Sequence, residues 1–285
     1  MLFLTGGHMY TKFILNFTPT GMIPTKDMTP HVAYSPEDIV QEILNVAELG
    51  VSMVHIHARD PETGKPTYRK EIYGEIIRGI RMENKDLILG VSTSGRDFNT
   101  FEQRSDCLEL KGDLKPDFAS LTLSSLNFNK QASMNSPEMI QALAGKMKKE
   151  QIKPELEAFD LGMINYAKYL IKKDLLEPPF YFNLILGNIA CAQADLLHLG
   201  LMVRELPDHS IWSVGGIGDS QLNMNMLSII SGGGVRVGLE DNIWYDIDRT
   251  KLATNCSLVK RVVACAKVMG FRPYSPKEAR MLLRV

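Results

Sequence analysis

The sequence lacks the features of membrane, secreted and nucleic-acid-binding proteins. None of its apolar stretches approaches the roughly 18 residues of a membrane span, and residues 1–4 lack the positive charges that precede a secretion signal. The formal net charge is only −1, so no overall basic field attracts nucleic acid. The four cysteines form no Cys-x-x-Cys pair and are expected to be buried thiols rather than a disulfide framework. These absences predict a cytoplasmic protein.

Strand-like and helix-like segments alternate along the chain. A Gly-x-Gly-x-x-Gly motif is missing after the first strand, which weakens the rival interpretation, a doubly wound dinucleotide-binding sheet. Eight strands, each followed by a helix, predict an α/β fold of the closed (β/α)₈ type, a TIM barrel. The predicted strands lie near 12–17, 51–56, 87–92, 117–123, 154–158, 180–186, 210–214 and 234–239, and the helices near 36–49, 69–83, 100–110, 137–149, 161–173, 192–204, 220–231 and 250–269.

No linker or low-complexity segment divides the chain, so residues 1–285 are expected to form one domain. Residues 1–11, which include Gly6-Gly7-His8-Met9, are expected to be a disordered or cloning-derived extension. In a barrel of this type, functional groups gather at the carboxyl ends of the strands. Polar residues do stand there on nearly every predicted strand: Asn16, Thr18, His55, His57, Ser92, Thr93, Ser120, Glu157, Asn183, Glu240 and Asp241.

The pair His55 and His57 follows the apolar run 50–54. Side chains two apart in a strand point to the same face, so both imidazoles can grip one metal ion. A bare His-x-His is a short pattern, and two unrelated histidines, one packed and one solvated, remain an alternative.

Segment 232–242 combines a glycine-rich turn, a short strand and an acidic pair. Arg236 stands inside this strand, and a buried guanidinium needs an anionic partner such as Asp241. Glu240 can add an oxygen ligand to the two histidines and give a His₂Glu set with open positions, as in catalytic zinc sites. Asp241 is a candidate general base. Alternatively, Glu240 and Asp241 only cap the next turn, and Arg236 forms a structural ion pair.

Two further segments carry candidate groups. Hydroxyls and backbone amides in Ser92-Thr93-Ser94-Gly95 suit a carboxylate or phosphate, although an ordinary turn gives the same pattern. Glu157 faces the same side of its strand as Glu155, and a carboxylate on an apolar strand needs a partner, such as a histidine or Arg236.

These motifs, together with Pro154-Glu155-Leu156-Glu157-Ala158-Phe159-Asp160, resemble those of the β-keto acid cleavage enzymes, typified by 3-keto-5-aminohexanoate cleavage enzyme. The resemblance covers roughly residues 12–285. It implies a TIM barrel, a divalent metal that is usually zinc, and a homotetramer. The implied reaction converts a β-keto acid and acetyl-CoA into acetoacetate and a new acyl-CoA.

The resemblance also implies residue roles. His55, His57 and Glu240 would bind zinc, which would hold the keto acid, while Ser92 and Thr93 would help to hold its carboxylate. Asp241, poised by Arg236, would remove a proton from the carbon between the two carbonyls. Ser120 and Glu157 match further substrate-pocket positions of the family.

One departure from the family pattern concerns the substrate. The loop 19–25 contains no acid, whereas the amino-substrate enzyme that typifies the family carries one there for the substrate's amino group. Met22 and Ile23 favour an apolar or uncharged side chain instead. Arg96 would suit a second carboxylate, although a surface arginine is the simpler interpretation.

Two other functions fit the same residues. A metal-dependent aldolase or acyl-CoA lyase would cleave a carbon–carbon bond without acetyl-CoA. An inactive barrel would merely bind a small acid or a metal.

Overall fold

The computed structural model, which describes residues 11–285, contains a closed barrel of eight parallel strands. This confirms the predicted TIM barrel. The strands in chain order are β1 Lys12–Phe13, β2 Leu15–Phe17, β3 Met53–Ile56, β4 Ile88–Val91, β5 Phe118–Thr122, β6 Leu126–Asn127, β7 Ala132–Ser133, β8 Lys153–Ala158, β9 Phe180–Leu186, β10 Ser210–Gly216, β11 Gly234–Val237 and β12 Arg272–Pro273. The barrel runs β2-β3-β4-β5-β8-β9-β10-β11 and closes between β11 and β2.

Helices follow the barrel strands and, except for the last one, cover the outside of the barrel. They are α1 Pro36–Ala47, α2 Lys70–Glu83, α3 Phe101–Ser105, α4 Pro137–Glu150, α5 Leu161–Lys172, α6 Leu196–Glu205, α7 Gln221–Ile230, α8 Asn255–Val268 and α9 Pro276–Leu283. Helices α1 and α4 begin as predicted, because Ser35 and Ser136 accept hydrogen bonds from the backbone amides three residues on and a proline follows each serine.

Some boundaries and elements differ from the sequence prediction. Helix α3 tightens into a 3₁₀ turn from Asp106 to Glu109, and α8 begins five residues later than expected. Three features had not been predicted: the antiparallel hairpin β6–β7, the pairing of β1 with β12, and helix α9. Residues 1–10 of the expected N-terminal extension lie outside the described residues.

Helix α9 closes the barrel at the amino ends of its strands. Ala279 and Leu283 of α9 are fully buried against inward-facing side chains of the barrel. Arg280 of the same helix donates hydrogen bonds to Asp117 and to the carbonyl oxygens of Asp86 and Leu87. The opposite end of the barrel, where the strands end, therefore stays open to solvent and ligands.

The structure bears on the predictions about membrane spans and about the cysteines. Among residues 11–285, no helix is long and apolar enough to cross a lipid bilayer. All four cysteines are free thiols, but only Cys107 is buried. The expectation of burial is wrong for Cys191, Cys256 and Cys265, which are half-buried because their positions in a loop and on α8 face partly outward.

Candidate active site

His55, His57 and Glu240 converge at the open end of the barrel. His55 lies within β3 and His57 follows its end, while Glu240 follows β11, and β2 lies between these two strands. One potential ligand atom from each residue lies within 4.8 Å of the others. His55 Nε2 and His57 Nε2 are 3.2 Å apart, and His57 Nε2 is 3.2 Å from Glu240 Oε1. Both histidines are buried, so the alternative with one solvated histidine is wrong.

This cluster fits a divalent metal. The second carboxylate oxygen of Glu240, Oε2, is buried and has no hydrogen-bond partner among the described residues. An unsatisfied buried oxygen is costly, and a cation would relieve that cost. Two imidazoles and one carboxylate also form the donor set of catalytic zinc sites with an open position.

Arg236 connects Glu240 to Asp241. Its side chain is 2% exposed, and its Nη2 donates a hydrogen bond of 2.6 Å to Glu240 Oε1. Arg236 Nε and Nη2 donate to both oxygens of Asp241, at 2.8 and 3.2 Å. The predicted ion pair of the buried guanidinium therefore exists, and it joins a candidate metal ligand to the candidate base.

Glu155 forms a hydrogen bond with the ring nitrogen of His55 that points away from the metal-binding cluster. Its Oε2 lies 2.6 Å from His55 Nδ1, and both side chains are buried. The other oxygen, Oε1, accepts hydrogen bonds from Asn16 Nδ2 at 2.7 Å and from Asn183. A carboxylate on one ring nitrogen fixes the imidazole's orientation and leaves the other nitrogen for a metal.

The two histidines differ in charge in the metal-free protein. Burial works to lower the pKa of His55, but the carboxylates of Glu155 and Glu240 outweigh it and raise this pKa to about 9. Burial lowers the pKa of His57 to about 4, and Glu240 offsets this only in part. His55 is therefore protonated at neutral pH, whereas His57 is a neutral imidazole and a ready ligand.

The two acids beside Arg236, Glu240 and Asp241, differ in the direction of their pKa shifts. Burial acts to raise the pKa of Glu240, but Arg236 in the first place, together with interactions with His57 and His55, holds this pKa well below its usual range. Burial raises the pKa of Asp241, Arg236 opposes this, and Glu240 adds to it. Glu240 therefore stays ionised, as a metal ligand must, while Asp241 is the more basic of the two carboxylates.

The loop after β2 is built around Glu240. Gly21 has a φ of +64°, and a Cβ added there would lie 2.5 Å from Glu240 Cγ. The Gly21 carbonyl accepts a 2.9 Å hydrogen bond from Arg59 Nε, and Arg59 also donates to the carbonyls of Pro24 and Gly64. Arg59 thus fixes the loop after β2 beside the site. The sequence analysis gave this arginine no role.

Ser92 and Thr93 follow the end of β4, and Ser120 lies in the middle of the neighbouring strand β5. The Ser92 hydroxyl accepts a hydrogen bond from Ser94 N and keeps its own proton for a ligand. The Thr93 hydroxyl donates at 2.6 Å to the Ser120 carbonyl, and Ser120 Oγ accepts from Thr93 N. Thr93 can therefore only accept a hydrogen bond through this oxygen, which makes Ser92 the better carboxylate donor.

Glu157 lies on β8, two residues beyond Glu155 and on the same side of the strand. It is buried, accepts a hydrogen bond of 2.7 Å from Thr122 Oγ1 and lies 3.7 Å from Arg236 Nη1. Burial raises the pKa of its carboxyl group. Of the two partners suggested by the sequence, the structure places Arg236 beside Glu157, while the histidine belongs to Glu155.

A narrow open pocket with a volume of about 10 Å³ adjoins this site. Its walls include His57, Ser92, Thr93 and Met22. Phe98, which packs edge-to-face against Tyr68, forms an apolar wall of the pocket. Its volume is about that of one water molecule, and its walls bring a histidine and hydroxyl groups together.

Sequence reasoning identified the cluster but missed its support. The pattern Glu155-Leu156-Glu157 already placed both acids on the same side of their strand. Only the closed barrel shows that Glu155 faces His55 from across the interior. Asn16 and Asn183 were expected at the rim, but they lie in the interior and bind Glu155.

Known proteins resemble this chain over nearly its whole length. A family model described as beta-keto acid cleavage enzyme matches residues 12–285. The 3-keto-5-aminohexanoate cleavage enzyme of Fusobacterium nucleatum is 35% identical over 96% of this chain and 98% of its own length. The 3-oxoadipate:acetyl-CoA acetyltransferase of Cupriavidus necator is 33% identical over 95% of this chain and 94% of its own.

A solved structure shares the fold. The ternary complex of ObcA with a C4-CoA adduct and oxalate gives a TM-score of 0.78 at 19% identity, over 90% of this chain and 68% of that chain. By the match of the family model and of these relatives over nearly its whole length, the chain belongs to the β-keto acid cleavage enzyme family.

Proposed function

We propose that the protein converts a β-keto acid and acetyl-CoA into acetoacetate and a new acyl-CoA. One observation carries this proposal: Arg236 joins Glu240, a member of the His55–His57–Glu240 cluster, to Asp241, a base of raised pKa. A candidate metal-binding set thus lies beside a candidate proton acceptor, and together they would meet the needs of proton removal next to two carbonyls. The family of the chain and the names of its relatives, one of which includes acetyl-CoA, support the acyl transfer.

His55, His57 and Glu240 would hold a divalent metal, which we propose to be zinc. A bound metal of this kind supplies Lewis acidity that makes the carbon between ketone and carboxylate more acidic. Glu155 keeps His55 Nδ1 engaged, so that Nε2 faces the cluster.

Asp241 would accept the proton from the carbon between the two carbonyls at one of its carboxylate oxygens. The resulting carbanion attacks the thioester carbonyl of acetyl-CoA, a carbon–carbon bond forms, and the CoA thiolate leaves. The thiolate then attacks the original ketone, and the bond between this carbonyl and the former carbanion carbon breaks. Asp241 returns its proton to that carbon, which becomes the methylene carbon of acetoacetate, between its ketone and its carboxylate.

Arg236 and Glu157 would tune this base. The guanidinium binds both oxygens of Asp241 and so fixes the direction in which the carboxylate points. Glu157 lies on the other side of the same guanidinium, 3.7 Å from Nη1, and draws part of its charge away from Asp241. Ser92 would donate its free hydroxyl proton to the substrate carboxylate, with Thr93 and Ser120 shaping that end of the pocket.

The assembly and the location are proposals of the same kind. We propose a homotetramer, which the family resemblance implies, and a cytoplasmic protein, which the free thiols of the four cysteines support.

The test is a screen of β-keto acids with the zinc-loaded protein, in the presence and absence of acetyl-CoA, with acetoacetate as the measured product. Acetoacetate that appears only with acetyl-CoA supports the proposal. Carbon–carbon cleavage without acetyl-CoA would favour the aldolase or lyase interpretation. Metal binding without turnover of any keto acid would favour an inactive barrel.

A further inference from the structure

Arg96 is a cation beside the site that the proposed reaction does not use. It lies in the turn after β4 and is half-buried, so it is not a freely solvated surface arginine. Its Nε is buried without a hydrogen-bond partner, and none of the hydrogen bonds or ion pairs among residues 11–285 uses its guanidinium. An unsatisfied, partly buried guanidinium indicates a missing anionic partner.

The other buried arginines near the site are already satisfied. Arg236 binds two carboxylates, and Arg59 donates to three carbonyl oxygens. Arg104 donates to two carbonyl oxygens and to the side-chain oxygen of Asn135. Arg96 alone in this group is free to bind an anion.

The guanidinium of Arg96 is held in place by an aromatic ring. Its central carbon lies 3.7 Å from the centre of the Phe128 ring, and Phe128 packs edge-on against Phe159. Phe128 follows β6, and the Gln131 side chain ties the same hairpin to Arg96 O and Asp97. A stacked guanidinium keeps its edge free, and this edge is the part that binds a carboxylate through two parallel hydrogen bonds.

Arg96 lies in the turn between Ser94 and Phe98, which both line the pocket beside His57. Burial lowers the pKa of Arg96, and the charges that oppose this are Glu240, Asp97, Glu157 and Asp241. In CoA, the long pantetheine arm separates the reacting thioester from the phosphates, so an anion close to these acids belongs to the keto acid. The proposed function already assigns the reacting carboxylate to Ser92, which leaves the far end of the substrate.

We infer that Arg96 binds a second carboxylate at the far end of the substrate, which makes the substrate a 3-oxo dicarboxylic acid. This inference rests on the proposed function. The acid-free loop 19–25 is consistent with it, because an acid there would repel such a substrate. Met22 in the pocket wall suits the methylene groups between the two ends. The apolar or uncharged side chain that the sequence predicts for the substrate then corresponds only to these methylene groups.

The experiment compares substrates that differ only in the second carboxylate. We would measure kcat/KM of the zinc-loaded enzyme for two pairs matched in carbon number, 3-oxoadipate with 3-oxohexanoate and 3-oxoglutarate with 3-oxopentanoate. Wild type should prefer the dicarboxylate of at least one pair. Arg96→Gln should lower kcat/KM for that dicarboxylate on the order of 100-fold, because a charged hydrogen-bonding pair is lost. It should change the monocarboxylate value and the KM for acetyl-CoA little.

Two variants serve as controls. Arg96→Lys keeps the charge without the forked geometry and should recover part of the activity towards the dicarboxylate. Arg78→Gln removes an exposed arginine on α2 and should leave all values unchanged. Zinc content and melting temperature of each variant show whether the site and the fold are intact.

The other outcomes overturn the inference. An equal loss for both members of a pair means that Arg96 serves the catalytic acids or the shared carboxylate. A rise in KM for acetyl-CoA alone assigns Arg96 to a phosphate of CoA. Full activity of Arg96→Gln on the dicarboxylate removes the residue from recognition, while the proposed function stands. If wild type forms acetoacetate from no keto acid at all, the proposed function fails first.

Discussion

His55 and His57 are neighbours in the proposed metal site, yet their removal should have different consequences. Both alanine variants should lose zinc. His55→Ala also leaves the buried carboxylate of Glu155 without its cationic partner, which typically costs about 3–5 kcal/mol. His57→Ala leaves no such charge, because Arg236 still holds Glu240. We therefore expect urea unfolding of metal-free protein to show a clearly lower stability only for His55→Ala; equal stabilities of the two variants would contradict the role of Glu155.

Asp241 provides a test of the base that is independent of the metal. Asp241→Asn keeps the size of the side chain but removes the charge, and Arg236 retains Glu240 as a partner. We expect zinc content close to that of wild type and a loss of acetoacetate formation on the order of 100-fold to 10,000-fold. Measured turnover within a few-fold of wild type would remove Asp241 as the proton acceptor.

Glu155 should affect the metal without touching it. Glu155→Gln keeps the side-chain shape but weakens the hold on His55 Nδ1, so zinc affinity should fall about 10–100-fold. Competition with a chelator of known affinity measures this change. The matched variant Glu157→Gln should leave zinc affinity near that of wild type, since Glu157 contacts Thr122 and Arg236 rather than a histidine.

Single residues differ in how far the sequence could predict them. The period of two in a strand placed His55 and His57 together, and the need of a buried guanidinium for anions predicted the partners of Arg236. The sequence could not predict that Glu155 binds His55, because this contact depends on which strands face each other across the closed barrel. The stacking of Arg96 on Phe128 depends on a hairpin whose strands are only two residues long.

At the scale of elements, helix α9 seals the end of the barrel opposite the site. Leu283 is fully buried against the inner side chains, so Leu283→Ala should destabilise the protein by about 2–5 kcal/mol. Zinc affinity at the far end should stay unchanged. The exposed Leu197 of α6 is a matched control, and Leu197→Ala should change the free energy of unfolding little. A loss of zinc affinity in Leu283→Ala would show that the two ends are coupled.

The regular elements were predictable because each repeats a strong local signal. Buried parallel strands are continuous apolar runs, and the helices carry serine caps and apolar faces. The hairpin β6–β7 and the strand β12 carry too few residues for any periodicity. Helix α9 has a serine cap, a proline and a capping box, but it lies beyond the eighth strand–helix unit, where the barrel pattern predicts nothing further.

At the scale of the whole molecule, metal binding should depend on pH. The pKa of His55 is raised to about 9 in the metal-free fold, so zinc must displace a proton from it at neutral pH. Apparent zinc affinity should therefore rise about tenfold per pH unit from pH 6 to pH 8. The pKa of His57, about 4, adds no slope in this range. Calorimetry in buffers of different ionisation enthalpy should show about one proton released per zinc at pH 7. An affinity that does not vary with pH would contradict a protonated His55.

The barrel as a whole also bears on the domain prediction. We propose that residues 12–285 form one domain, since the strands of a single closed barrel extend from β2 to β11 and α9 returns to its base. Limited proteolysis that yields two separately folded fragments would contradict this.

The hydrogen bonds that orient His55 come from the barrel strands themselves. Glu155, which binds His55, and its partners Asn16 and Asn183 belong to three different strands. Arg96 and Phe128, in contrast, sit on a turn and a short hairpin outside those walls. In evolution, the part that would perform the chemistry can therefore be inherited unchanged while the part that would choose the acid is exchanged. Relatives whose names refer to an amino acid derivative and to a dicarboxylic acid are what such a division of labour would produce.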